Sequence, residues 1–220
     1  MKENGDKMIF YGKRVLFIGA HPDDIELGAG ALIHHIVPNC DVLCLTLSDN
    51  QKNPLLKKVV DELKGSMKVL GVPAERVIVE KFATRDFPDV RQDILEYLLK
   101  IRREFKPDVV FVHSRADIHQ DHNVATEEAL RAYRGTSVLG FDVVRSSYGF
   151  FPHFLIEVSA EDVEKKIEAL AQYKTYTDKY YFDGALLKAT MTRNGALAEL
   201  PFAEGFDILR IVGKFDTIGN

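Results

Sequence analysis

The chain has 220 residues, of which 46% are hydrophobic and 28% charged, a composition typical of one globular α/β domain with a sizeable core. Its net charge of −4 excludes the broad basic surface of a nucleic-acid-binding protein. No stretch approaches the roughly 20 apolar residues of a membrane helix. Residues 1–14 also lack the apolar core of a signal peptide, so we expect a cytoplasmic protein without a membrane span.

Short apolar runs alternate with amphipathic patterns over the first two-thirds of the chain. The apolar runs predict four strands, at 14–20, 41–48, 76–82 and 108–114. The amphipathic patterns predict four helices, at 25–37, 54–71, 89–105 and 121–134. This alternation favours repeated βαβ units and predicts a Rossmann-like α/β fold, with a mostly parallel sheet flanked by helices. Ligands bind such sheets beyond the carboxyl ends of the strands.

The last third of the chain has a different pattern. It predicts a strand at 151–159, a long helix at 160–182 and a closing strand at 205–213. No linker or low-complexity segment separates this part from the rest. We therefore expect a single domain over 1–220, with a Rossmann-like core at 1–140 and a C-terminal extension at 141–220 that caps the active edge.

Histidine and aspartate cluster after the first and the fourth predicted strands. "HPDD" occupies 21–24, and "DIHQDH" occupies 117–122. A catalytic zinc takes three protein ligands of these residue types and keeps a fourth position for water. A further carboxylate beside the ion can act as a general base. Because both strands end at the same edge of the sheet, the pair of clusters predicts a metal site, although Asp24 alone could simply cap the following helix.

These two motifs carry a resemblance to a known family. "AHPDDIELGAG" and "DIHQDH" resemble the LmbE-like, or PIG-L-type, zinc-dependent N-deacetylases, and weaker likeness runs along most of the chain. Members of this family remove acetyl groups from N-acetylglucosamine-type sugars. The resemblance therefore implies a hydrolase with a small amino-sugar substrate, and it implies trimers or hexamers as the common assemblies.

The resemblance also implies roles for individual residues. It implies one Zn²⁺ per chain with three ligands: His21, Asp24 and His122. Asp23 matches the general base of the family. His119 matches the histidine that stabilises the oxyanion in its protonated form, and Asp121 matches the carboxylate that orients this histidine.

Four further residues are candidates for substrate binding. Arg85 follows the third strand and should reach the active edge, where it would bind a sugar hydroxyl or a phosphate; the alternative is a surface salt bridge with Asp86. His113 ends the fourth strand; a contact with the metal ligands or with the substrate and a simple structural role are equally open for it. Arg193 and Glu204 lie in stretches that resemble the C-terminal third of the family, and ordinary surface charge is their alternative.

Other functions are consistent with parts of this pattern. The segment Lys174–Tyr176 departs from the Ser-Gln pair that follows this helix in many relatives, and this departure lies on the substrate side. A zinc amidase for a non-sugar substrate and a metal-retaining sugar-binding protein without turnover therefore remain alternatives. A metal-free nucleotide-binding module would leave the two His/Asp clusters unexplained. The tyrosines of the 173–181 region have a mixed helical spacing that favours packing over sugar stacking.

Overall fold

A computed structural model describes residues 10–213 as seven strands and six α-helices around one sheet. The strands are β1 (Arg14–Gly19), β2 (Asp41–Thr46), β3 (Val77–Val79), β4 (Val109–His113), β5 (Ser137–Phe141), β6 (Phe154–Glu157) and β7 (Ala203–Arg210). The helices are α1 (Asp24–Ile36), α2 (Val59–Val69), α3 (Arg91–Phe105), α4 (Gln120–Ala132), α5 (Ala160–Leu170) and α6 (Gly184–Ala196). None of the helices within this part of the chain is long and apolar enough to cross a membrane.

The sheet has the strand order β3-β2-β1-β4-β5-β7-β6. The first five strands along the chain run parallel, and β7 pairs antiparallel with both β5 and β6. This mostly parallel sheet with flanking helices confirms the predicted Rossmann-like α/β class. The order also places β1 directly beside β4, so the two His/Asp clusters that follow these strands share one edge of the sheet.

Both faces of the sheet are buried, which explains the continuous apolar runs of the central strands. Phe17 of β1 packs into the core formed with α1, α2, α5 and α6, whereas Leu16 and Ile18 pack into the core formed with α3 and α4. All three side chains are fully buried. Burying a side chain of this size contributes about 1.5–3 kcal/mol, so β1 is a rigid base for the residues that follow it.

The predicted long helix at 160–182 is wrong beyond Leu170. Tyr173 turns into the core and its hydroxyl donates to a Glu26 carboxylate oxygen at 2.6 Å, while the backbone N–H of Thr175 donates to Glu62 at 3.1 Å. Two short 3₁₀ turns, at 174–176 and 180–182, replace the expected helix. These tertiary contacts override the local helical pattern, and the turns cap the active edge of the sheet.

Two elements of the structure were absent from the sequence prediction. β5 is short and contains Gly140, where a Cβ would lie only 2.9 Å from Ser114 Cα next to β4. The helix α6 has no continuous apolar stripe, and only four of its residues are buried. Both elements form because neighbouring parts of the fold supply their packing partners. The predicted helix at 54–71 also differs, since a 3₁₀ turn at 54–56 precedes α2.

Candidate metal centre and active site

The site lies where β1 and β4 end. His21 and Asp23 form the turn between β1 and α1, and α4 begins directly after His119. Asp23 has a φ of 96°, a left-handed conformation that is unfavourable for a residue with a side chain. Strained residues of this kind persist where the surrounding fold holds them, and they cluster at functional sites.

Three ligand atoms converge on one point beneath this edge. His21 Nδ1 lies 3.2 Å from His122 Nε2 and 3.6 Å from Asp24 Oδ2, and His122 Nε2 lies 3.4 Å from the same carboxylate oxygen. A tetrahedral zinc with ligand bonds of about 2.0–2.1 Å separates its ligand atoms by about 3.3–3.4 Å. The three side chains are almost completely buried. The donor types and their spacing therefore fit a zinc ion.

The other nitrogen of each histidine is held by a carboxylate. His21 Nε2 lies 2.9 Å from Asp121 Oδ2, and His122 Nδ1 lies 2.7 Å from Asp117 Oδ2. Ser146 donates its hydroxyl proton to the same oxygen of Asp117 at 2.9 Å. Such contacts fix the tautomer and the ring orientation of metal-binding histidines. The Asp121 carboxylate thus contacts His21, rather than His119 as the resemblance implied.

These carboxylates also change the proton affinities of the cluster. Burial alone would lower the pKa of His21, but Asp121 and Asp24 raise it to about 9. Burial works against ionisation of Asp24, yet the charge of His122 and the contact with His21 hold the pKa of Asp24 well below its usual range. The Asp24 carboxylate is therefore the ionised ligand that a cation requires.

Asp23 is the remaining carboxyl group of the first cluster. Burial and the neighbouring Asp24 carboxylate raise the pKa of Asp23 well above its usual value, and the positive charge of Arg145 partly opposes this rise. Its side chain faces the cavity above the three ligand atoms. A carboxylate with a raised proton affinity is a stronger base than an exposed aspartate.

His119 occupies the other side of the cavity. Its Nδ1 accepts a hydrogen bond from the backbone N–H of Asp121 at 3.1 Å. Burial and the charge of His122 lower the pKa of His119 to about 4. The ring is therefore neutral near pH 7, and its single proton lies on Nε2, where it can be donated to a ligand.

His113 is fully buried and does not line the cavity. Its Nε2 accepts the backbone N–H of Ala20 at 3.0 Å, and its ring stacks on His122 at 3.9 Å. Burial, with the charge of His122, lowers the pKa of His113 to about 3. A fully buried neutral imidazole has no surface to offer a substrate, so the structure does not support the predicted substrate contact. The predicted contact with the candidate metal ligands is present, because His113 Nε2 also lies 3.4 Å from Asp24 Oδ2.

A cavity of about 880 Å³ opens above the three ligand atoms. Its far wall comes from the 3₁₀ turns, with Tyr176 and Tyr181, and from Arg145, whose guanidinium lies 5.7 Å from the centre of the Tyr181 ring. Sequence reasoning missed Arg145 because this residue follows β5, which was not predicted. It also favoured packing for the tyrosines, because the turn that brings Tyr181 to the cavity was read as helix.

Arg85 lines the same cavity on the opposite wall. Its predicted alternative was a salt bridge with Asp86, but both carboxylate oxygens of Asp86 accept from Lys52 Nζ at 2.7 Å. The Arg85 side chain is exposed at the cavity mouth. The structure thus shows that Asp86 already has another partner, and it places Arg85 among the residues that line the cavity.

Arg193 and Glu204 do not lie at this cavity. They line a smaller one of about 130 Å³ between α1, α6 and β7. Glu204 is buried; it accepts the backbone N–H groups of Ala31 and Leu32 at 3.1 and 2.7 Å and pairs with Lys166 at 2.7 Å. These contacts brace α1 just after its kink at Ala29, so Glu204 is structural rather than substrate-binding.

Several known proteins are similar to this chain in sequence or in structure. An uncharacterized deacetylase of Escherichia coli K12, YaiS, is 28% identical over 172 residues, covering 74% of this chain and 91% of the relative. A diacetylchitobiose deacetylase of Thermococcus kodakarensis is 26% identical over 184 residues, covering 78% of this chain but only 63% of that longer relative. A conserved protein of Thermus thermophilus has the same fold, with a TM-score of 0.78 at 21% identity over 94% of this chain and all of the other.

The family model for GlcNAc-PI de-N-acetylase, PIG-L, matches residues 16–133. This range begins in β1 and ends just after α4, so it contains both His/Asp clusters and the strands that bring them together. Because the match spans more than half of the chain, the protein belongs to the PIG-L, or LmbE-like, family of deacetylases.

Proposed function

We propose that the protein is a zinc-dependent hydrolase that removes the N-acetyl group from an N-acetylglucosamine-type sugar or sugar conjugate. The observation that carries this proposal is the triangle of ligand atoms from His21, Asp24 and His122, with edges of 3.2–3.6 Å. The diacetylchitobiose substrate named for the Thermococcus relative supports an acetylated amino sugar.

One zinc ion per chain would be held by these three side chains. When bound, Zn²⁺ supplies Lewis-acid chemistry, because it polarises a carbonyl oxygen and lowers the pKa of a water molecule. Asp117 and Asp121 keep each histidine ring turned with one nitrogen toward the ion. The buried position of the ligands keeps bulk water from competing for them.

In the proposed reaction, Asp23 transfers protons and His119 stabilises the negative charge that develops on the carbonyl oxygen. Asp23 accepts a proton from the water that attacks the acetamide carbonyl, and it returns that proton to the nitrogen of the leaving amine. His119 donates its Nε2–H to the oxygen on which negative charge develops. This assignment uses a neutral imidazole, in place of the protonated His119 expected from the resemblance.

The proposal is tested by removing and restoring the metal. The purified protein is stripped with a chelator and assayed with N-acetylglucosamine and diacetylchitobiose, with release of free amine as the readout. We expect negligible release from the stripped protein, and restored release at one equivalent of Zn²⁺. Full activity after stripping would contradict the zinc requirement.

A second comparison separates the remaining alternatives. The loaded protein is offered N-acetylglucosamine and a simple acetylated amine of matched concentration. Release from the sugar but not from the simple amide supports the amino-sugar assignment. Release from the simple amide alone would indicate a non-sugar amidase, and sugar binding without release would indicate a protein that has lost turnover.

A further inference from the structure

The lining of the active-site cavity carries more positive than negative side chains, although the whole chain has a net charge of −4. Four cations line it: Lys52, Arg85, Arg145 and Lys179. Apart from the two aspartates at the metal site, the only acidic residue among the lining residues in the described part of the chain is Asp178. A local excess of cations in a cleft attracts anionic ligands.

Three of these cations already have a partner. Lys52 pairs with Asp86 at 2.7 Å, and Lys179 pairs with Asp178 at 3.1 Å. Arg145 lies over the Tyr181 ring, and its charge acts on Asp23. Within residues 10–213, neither Arg85 nor Arg145 forms an ion pair with a carboxylate, in contrast to Lys52 and Lys179. Arg85 also lacks the aromatic contact that Arg145 makes with Tyr181, so Arg85 is the more available of the two to a ligand.

The backbone of Arg85 is held in place on both sides by the first turn of α4. Its N–H donates to Asp121 Oδ2 at 2.6 Å, and its carbonyl oxygen accepts from Gln120 Nε2 at 2.6 Å. Its φ of 73° is left-handed, which is unfavourable for arginine. The loop is thus fixed in a strained conformation by two residues of the "HQDH" motif, one of which also contacts His21.

We propose that Arg85 binds an anionic group, a phosphate or a carboxylate, carried by the acetylated sugar substrate, and that Gln120 is the positioning residue that holds Arg85 at the cavity. The proposal rests on the proposed deacetylase function. A guanidinium matches both groups because its planar donors bind two oxygen atoms at once. Because the backbone is already fixed, the loop loses little further conformational entropy when the side chain binds a ligand.

The test compares neutral and anionic probes of the same sugar. Initial rates are measured with N-acetylglucosamine, its 1-phosphate, its 6-phosphate and N-acetylmuramic acid, which carries a carboxylate. We expect at least one anionic probe to have a higher kcat/KM than the neutral sugar. The phosphate and carboxylate arms then identify which anion the site prefers. Equal kcat/KM values for all four probes would overturn the proposal.

Variants assign the preference to Arg85. In Arg85→Gln, the ratio of kcat/KM for the preferred anionic probe to that for the neutral sugar should fall about 10- to 100-fold, as expected for losing a charge-assisted hydrogen bond. Arg103→Gln removes the same charge from the exposed surface of the last turn of α3, and should keep the ratio. An unchanged ratio in Arg85→Gln would overturn the proposal.

Gln120→Leu tests the positioning role. This exposed side chain can be replaced without opening the core. We expect a higher KM for the anionic probe with an unchanged kcat and an unchanged zinc content, because only the placement of Arg85 is altered. A fall in kcat alone, or a loss of zinc, would contradict the assignment of Gln120.

A binding measurement separates this proposal from the proposed deacetylation. Equilibrium binding of the anionic and neutral probes is measured by calorimetry with the wild-type protein and with Arg85→Gln, whether or not turnover occurs. Tighter binding of the anionic probe that depends on Arg85, without amine release, would sustain the anion site and reject the deacetylase. Amine release from all probes without an anionic preference would support the deacetylase and reject the anion site.

Discussion

Replacing Asp117 by alanine should weaken zinc binding, although Asp117 is not a ligand. Asp117 Oδ2 holds His122 Nδ1 at 2.7 Å and Ser146 Oγ at 2.9 Å, and its other oxygen accepts the backbone N–H of His119 at 2.8 Å. Removing the carboxylate frees the His122 ring to rotate and leaves its buried Nδ1–H without a partner.

The expected size of this effect follows from these contacts. Loss of the carboxylate behind a metal-binding histidine typically costs about 10- to 100-fold in metal affinity, which is about 1.4–2.8 kcal/mol. The loop should also lose about 1.5–3 kcal/mol of stability, because hydrogen bonds to a charged group disappear. Both changes arise from the same residue, so they are measured separately.

Competition between the protein and a chromophoric chelator measures the zinc affinity, and chemical denaturation measures the stability. Ser146→Ala is the matched control, since it removes one hydrogen bond to Asp117 but leaves the bond to His122. It should change the zinc affinity less than about threefold, the effect of losing roughly half a kcal/mol. A folded Asp117→Ala protein with wild-type zinc affinity would show that Asp117 does not hold His122 in place for the metal.

Three further predictions concern the ligand set and the buried charges. His122→Ala should lose its zinc on dialysis, as measured by elemental analysis, and keep its far-ultraviolet circular dichroism, because packing rather than the ion holds the sheet; full zinc occupancy would remove His122 from the ligands. Lys166→Met should lower the free energy of unfolding by about 3–5 kcal/mol, since it leaves Glu204 buried and unpaired; an unchanged denaturation midpoint would contradict this. Burial alone would raise the pKa of Asp162, but its hydrogen bonds to His34 and Ser159 lower it, so Asp162 contributes stability above its unfolded pKa and loses it as the pH falls. Asp162→Asn should therefore destabilise the protein at pH 7 and less so near pH 3, and an equal loss at both values would disprove the linkage.

The parallel sheet and the position of the metal site could be predicted from the sequence because each depends on local patterns. Continuous apolar runs mark strands that are buried on both faces, and the polar residues that follow β1 and β4 then fall at one edge. The strand order places β1 beside β4, and this pairing is enough to bring His21 and His122 together.

The cavity walls could not be predicted in the same way, because they depend on tertiary contacts. Tyr173 leaves the helical path to reach Glu26, 147 residues earlier in the chain, and this contact sends the following turn to the cavity. Arg145 follows β5, whose two pairing partners are β4 and the distant β7 near the other end of the chain. The orientation of the Asp121 side chain is likewise set by its contacts with His21 and with the Arg85 backbone. These contacts cannot be predicted from the motif alone.

The most direct test of the account measures amine release and zinc content together in Asp23→Asn. This change keeps the size of the side chain and removes its basicity, beside a ligand that stays in place. We expect about one zinc per chain, a folded protein and a rate of acetyl removal that falls about 10²- to 10⁴-fold, the usual contribution of a general base. Loss of zinc would make Asp23 a ligand, and a near-normal rate with zinc bound would contradict its role as the base.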